Sequence, residues 1–277
     1  MKQAGASFLS FHLISMLLVT VMLSSGAYAQ GAKSTKSAQK IDASALLNMA
    51  SRQPMLAERI TKSFLMMTRN VLTFRSRNHL EESLTEFESN LNALTAAAPT
   101  NEIRENYELL EQLFEELKTI KSKPVNKQSA TELAEQNEEL VWIAQKGANL
   151  LQAHTKSARN DLIATTGEVR VLTQRLAKLY LFRTSGIRST VIANDLKKAE
   201  EDYRRAVERL VRAPQNNEQI KQELVLAETQ WLFLRGAIER LNADQTSVVQ
   251  LEHVSKTCDN ILSVMEKIAG LYAQIKA

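Results

Sequence analysis

The residues of this 277-residue chain whose types and spacing suit chemistry are cations on helical repeats. Arg52, Arg59 and Lys62 lie in one segment, and Arg170, Arg175 and Lys178 lie in another. A guanidinium offers planar, paired donors that match the planar oxygens of a carboxylate or a small oxyanion. Constellations for catalysis are missing. His79, His154 and His253 are far apart, without the helical pair spacing of zinc enzymes, and the single cysteine, Cys258, has no histidine nearby. No glycine-rich phosphate loop or serine elbow occurs, so the reading is non-enzymatic, with no cofactor and no metal. Met55, Met66 and Met67 read as packing filler, Cys258 as a small core residue, and Trp142 and Trp231 as core aromatics.

These cations must be positioned by helices. Glycine is scarce, and a mainly apolar stripe advances by three- and four-residue steps through Leu56, Ile60, Ser63, Met67, Val71 and Phe74. The pattern predicts helices near 43–76, 79–97, 101–121 and 129–157, then near 160–185, 194–212, 217–241 and 247–275. Asn78 with Glu81 and Ser129 with Glu132 read as capping-box starts. Short connections favour antiparallel neighbours, hence an all-α chain of two tandem antiparallel four-helix bundles. No breaker stands out around Ser157–Asp161, so a long continuous helix joining the bundles is an open alternative.

Residues 1–29 read as a signal peptide: Lys2, an apolar run from Leu13 to Leu23, and Ala27-Tyr28-Ala29 before the cut. Cleavage after Ala29 implies export, to the periplasm in a two-membrane cell, and residues 30–41 read as a flexible leader. The formal net charge of +4 includes Lys2, a balance too mild for a nucleic-acid partner.

An offset of 116 maps one half of the chain onto the other. It carries Leu56 to Leu172, Arg59 to Arg175, Lys62 to Lys178, Asn78 to Asn194 and Phe87 to Tyr203; after Pro99 the register slips, placing Phe114 opposite Trp231. Helical periodicity explains recurring leucines but not matched arginine, lysine and asparagine. The expected modules are 42–157 and 158–277, against the plainer alternative of one irregular eight-helix bundle.

Asn48-Met49-Ala50-Ser51-Arg52-Gln53-Pro54-Met55-Leu56-Ala57-Glu58-Arg59, followed by Lys62, resembles the signature of the PilJ-type domain. That family comprises the N-terminal sensor domains of type IV pilus methyl-accepting chemotaxis transducers and of nitrate/nitrite sensor kinases. Thr166-Gly167-Glu168-Val169-Arg170, continuing to Arg175, is similar to it a second time. The resemblance implies a four-helix bundle, and an anion held by a motif arginine at a symmetric dimer interface. That arginine corresponds to Arg170; Pro54 stands there in the first copy, where it should kink the helix near Ala50, and Arg52 is a partial substitute. Gly167 matches the motif glycine. Arg170 should flank the stripe formed by Leu162, Val169, Leu172, Leu176 and Leu179. Arg59, Arg175, Lys62 and Lys178 read as structural braces, with the acids of the third helix, from Glu102 to Glu116, as partners for the two arginines.

Two functions follow. The first is an exported sensory protein that binds a small anion such as nitrate or nitrite, as a homodimer, and signals through a membrane sensor or transducer. The second is a non-catalytic structural or interaction scaffold in the cell envelope, its ligand binding lost.

Overall fold

In a computed structural model that describes residues 41–185, 190–240 and 246–275, the chain is all-α. The signal peptide and nearly all of the leader lie outside the described residues. Among the described residues eight helices follow one another: α1 (Ala43–Thr68), α2 (Thr73–Ala96), α3 (Asn101–Lys121), α4 (Lys127–His154), α5 (Ala158–Thr184), α6 (Thr190–Val211), α7 (Glu218–Glu239) and α8 (Val248–Gln274). None is long and apolar enough to cross a membrane.

Side-chain caps set most of the starts, because the first amides of a helix have no partner within it. Asp42, Thr100, Asn126, Ser157, Asn217 and Ser247 each accept an amide hydrogen of the first turn of their helix. Three expectations about ends are corrected. The first helix stops at Thr68 rather than near 76, because the backbone turns through left-handed Asn70 (φ 55°) and Leu72 (φ 45°). Asn78 therefore lies inside α2, and Ser129 sits in the first turn of α4, closing a capping box with Asn126. The continuous helix between the halves is also overturned. Ser157 caps α5 through the Asn160 amide, while Asn160 Nδ2 donates to the Thr155 carbonyl, and the chain turns at 155–157.

The first four helices pack as an up-down bundle around Leu56, Ile60, Phe87, Leu94, Leu110 and Leu140. The last four pack likewise around Leu176, Tyr203, Leu224, Ile261 and Met265, although α6 and α7 meet only over a short stretch. Equivalent aromatics stack in each half: Phe87 on Phe114 at 4.3 Å and Tyr203 on Trp231 at 4.2 Å between ring centroids. Trp142, expected in the core, is 64% exposed, on the outer face of α4. Pro54 sits inside α1, which runs on as helix to Thr68; its missing amide is absorbed within a fully buried turn.

The two bundles are not separate bodies. All described residues belong to one compact unit, and the most extensive helix–helix contact is between α1 and α5. These helices run parallel and in register. Ser44 Oγ donates to Asn160 Oδ1 (2.9 Å) near their starts, and Arg69 Nη1 donates to Ser185 Oγ (3.0 Å) past their ends. Both bonds join residues 116 apart, the offset that relates the halves in sequence. Between them a Cβ added to Gly167 would lie 2.4 Å from the Cβ of Ser51, its equivalent under that offset. A position that touches its own equivalent is the geometry of a two-fold contact, realised here within one chain.

Candidate functional site

The α1–α5 seam gathers most of the cations singled out by sequence. Arg170 lies in α5 one position past Val169 and, instead of flanking the core stripe, has no exposed surface. Gly167, one turn earlier, lets the α1 backbone come close, so the long side chain is covered by α1 rather than by solvent. A buried cation needs a counter-charge and partners for its donors. Arg170 has a counter-charge and partners for its terminal nitrogens: Nη1 meets Glu266 Oε1 at 3.2 Å, and Nη2 donates to Asn48 Oδ1 and Ser51 Oγ, both at 2.9 Å, while its buried Nε has no partner among the described residues. Burial pulls its pKa down, and the Glu266 carboxylate opposes that pull.

Arg52 reaches the same carboxylate. It pairs with Glu266 through the other oxygen and with Glu86 of α2. Glu266, on α8, is therefore clamped between the guanidinium groups of Arg52 from α1 and Arg170 from α5. The planar oxyanion that paired donors call for is supplied by the chain itself. Arg170, Arg52 and Gly167 are brought to one place, and Glu266, Asn48 and Ser51 complete it.

Lower in the seam the lysines brace the halves reciprocally. Lys62 of α1 is buried and pairs with Asp259 of α8 (2.8 Å); Lys178 of α5 is buried and pairs with Glu138 of α4 (2.6 Å) and Glu58 of α1 (2.7 Å). Each lysine reaches into the last helix of the other half. Arg175 joins Glu58 and Glu138, both at 2.9 Å; burial works against its charge, but the two carboxylates hold its pKa above the ordinary value. Arg59 instead meets Glu82 of α2 at 3.5 Å. The acids of the third helix are not the partners of either arginine. They project outward, and the inner face of α3 is apolar, carrying Ile103, Leu110, Phe114 and Leu117.

Around Asp259 the charges are less even. Lys62, Arg75 and His79 all face it, with Asp259–Arg75 at 3.2 Å and Asp259–His79 at 3.8 Å. Burial, then the nearby Arg59, pushes the His79 pKa down to about 4. Asp259 is held below the ordinary carboxylate range by Lys62, although its burial acts the other way. Cys258 is fully buried and its thiol is pushed up to about 12 by that burial, which leaves it an inert core residue.

On the α4 side of the seam lies an open cleft of about 610 Å³. Its floor is small and apolar (Ala148, Ala164, Gly167), and its rim carries Gln145, Asp161 and Glu168. Glu168 pairs with Arg209 of α6, and burial raises its pKa in spite of that arginine. Ser51, an acceptor for Arg170, also lines this cleft.

Sequence reasoning missed Glu266, Asn48 and Glu58. Glu266 is 96 residues from Arg170, and no periodicity joins them. Glu58 had a signal: Ser44, Ser51 and Glu58 recur every seven residues on α1, the interval of a parallel helix seam.

The fold and site are those of a helical-bundle module whose paired cations meet at a two-fold-like seam. Residues 36–140 match the model of the PilJ family, described as the type IV pili methyl-accepting chemotaxis transducer N-terminal domain. The match takes in α1 to α3 and the first half of α4, and stops before α5. No curated protein matches the chain, and no solved structure matches it.

Proposed function

We propose that the protein is an exported, non-catalytic module of the chemotaxis-transducer sensory type, whose second half takes the place of a dimer partner. In this reading the halves are two copies of one PilJ-type module, 42–157 and 158–277, that dimerise within the chain along α1 and α5. The resting module keeps its anion seat closed with its own Glu266 and acts by contact with a membrane sensor or transducer, rather than by capturing a free anion. One observation carries the reading: Arg170, without exposed surface, spends its donors on Glu266, Asn48 and Ser51 while Arg52 holds the same carboxylate. For nitrate or nitrite to bind there it must displace a carboxylate that is partly exposed but already doubly paired, which costs more than filling an empty seat.

Isothermal titration of the purified protein with nitrate and with nitrite tests this. The expected result is no binding heat at millimolar anion. Binding that Arg170→Ala abolishes would overturn the closed seat and favour the second reading, a sensor for such an anion. That reading has its own support in the 610 Å³ cleft, which reaches Gly167 and the Ser51 hydroxyl beside Arg170.

A further inference from the structure

Exposed large apolar side chains are concentrated on α7. Val225, Leu226, Leu232 and Phe233 point away from the core, with Val225 62% and Phe233 64% exposed. The buried face of α7, formed by Ile220, Leu224, Ala227, Leu234 and Ile238, lies on the opposite side of the helix. At 100° per residue, Val225, Leu226, Thr229, Leu232 and Phe233 fall within an arc of about 120° centred on Thr229. The matching outer face of α3 in the first half is Glu108, Leu109, Gln112, Glu115 and Glu116, which water and like-charge repulsion keep apart from a copy of itself.

The α7 face reads nearly the same in both directions about Thr229, the exception being Gln222 and Gly236, seven residues either side. Val225 and Phe233 stand four residues either side of Thr229, and Leu226 and Leu232 stand three either side. Eleven residues either side, on the same face, stand Glu218 and Arg240, both exposed and of opposite charge, with Glu218 also paired to Lys221 of its own helix at 2.7 Å. A two-fold contact requires that residue i meets j and j meets i. Antiparallel apposition of two α7 helices about Thr229 satisfies this: Val225 meets Phe233, Leu226 meets Leu232, and each Glu218 meets the Arg240 of the other copy. Gly236, between Phe233 and Arg240, leaves room for the Arg240 guanidinium to lie over it, 3.2 Å from where a Cβ would stand. From Glu218 to Arg240 the face is about 33 Å long at 1.5 Å per residue. A helix pair of that length buries on the order of 1,000 Å², the lower range of specific interfaces.

We infer that α7 is a self-association surface, and that its occupant is α7 of a second copy of this chain, antiparallel and centred on Thr229. The α1–α5 seam, where the sequence placed a homodimer contact, is already occupied within the chain, so this contact is a different one. It does not depend on the state of the anion seat.

Sedimentation equilibrium of the purified protein tests the contact. The wild type should show a monomer–dimer equilibrium in the micromolar range. Phe233→Glu should weaken it at least tenfold with an unchanged circular dichroism spectrum, since nearly two-thirds of the side chain is exposed. Register is tested by charge. Glu218→Arg and Arg240→Glu should each associate more weakly alone, because each places like charges at both ends of the pair. Mixed together, the two variants should form a heterodimer at least as tight as the wild type. A wild type that stays monomeric to 100 μM, or a dimer indifferent to Phe233→Glu, or variants that fail to recover on mixing, would each overturn the inference. So would a monomer that instead binds lipid vesicles or another protein through this face.

Discussion

The two halves of the molecule use matched cations differently, and the difference lies in where counter-charges stand. Arg175 in the second half is locked to Glu58 and Glu138, while its equivalent Arg59 pairs with the distant, exposed Glu82 and lies near the already shared Asp259. Lys178 has two carboxylates, and Lys62 shares one, Asp259, with Arg75. Where the second half has Arg170, the first has Pro54, so the clamp around Glu266 recruits Arg52 from a different position of α1. A near-repeat in sequence thus folds into a seam whose equivalent positions stand in register but whose charges are asymmetric. One side is neutralised by pairs, and the other carries a cationic surplus around Asp259.

The largest effect should come from removing the acid that holds two cations. Glu58→Ala leaves buried Lys178 with Glu138 alone and should lower unfolding stability by about 3–5 kcal/mol, read by urea denaturation. Next, Gly167→Val tests whether closeness of the helices is what buries Arg170. The new side chain meets the Ser51 Cβ, and overpacking there should cost about 1–3 kcal/mol. Comparing equivalent positions sharpens the contrast further. Arg175→Met should destabilise by about 2 kcal/mol, whereas Arg59→Met, which loses a long contact to an exposed partner, should cost about 0–1 kcal/mol. Equal costs would remove the claimed asymmetry.

The cationic surplus also makes a pH prediction. His79 takes up a proton near pH 6.5 when unfolded but near 4 when folded, so between those values the unfolded chain binds more protons. Stability should therefore fall as pH drops from about 6.5 to 4. Asp259, with its lowered pKa, adds to the loss at still lower pH, as it becomes protonated in the folded state. The groups facing His79 are Asp259, Arg59, Lys62 and Arg75. Thermal melts of the wild type and of His79→Gln across this range check it. The variant should lose the slope between pH 6.5 and 4.

Much of the fold was legible from residue pattern, and the reasons for the misses are physical. The third helix matches its expected span, 101–121, because Thr100 and the residues after Pro99 mark a start that tertiary contacts do not alter. The turn at 69–72 was hidden because Leu72, which takes the left-handed conformation, is a residue type that disfavours it. The break before α5 had a signal in Ser157 and Asn160 that apolar periodicity masked. At the site, the residue types of Arg170, Arg52 and Gly167 were readable, but the burial of Arg170 was not. A lone arginine beside a helical stripe belongs at the surface unless a second helix covers it. That cover comes from α1, and the counter-charge comes from α8, both far away in sequence.

The central claim is that Glu266 occupies the place of a free anion, and neutralising it tests that claim most directly. Glu266→Gln keeps the side chain's shape but leaves Arg170 and Arg52 without their shared charge. Thermal melting of this variant should show a lowered Tm that rises with added nitrate well beyond the response to equal chloride, while the wild type shows no such rise. An equal nitrate-dependent rise in wild type and variant would contradict the account.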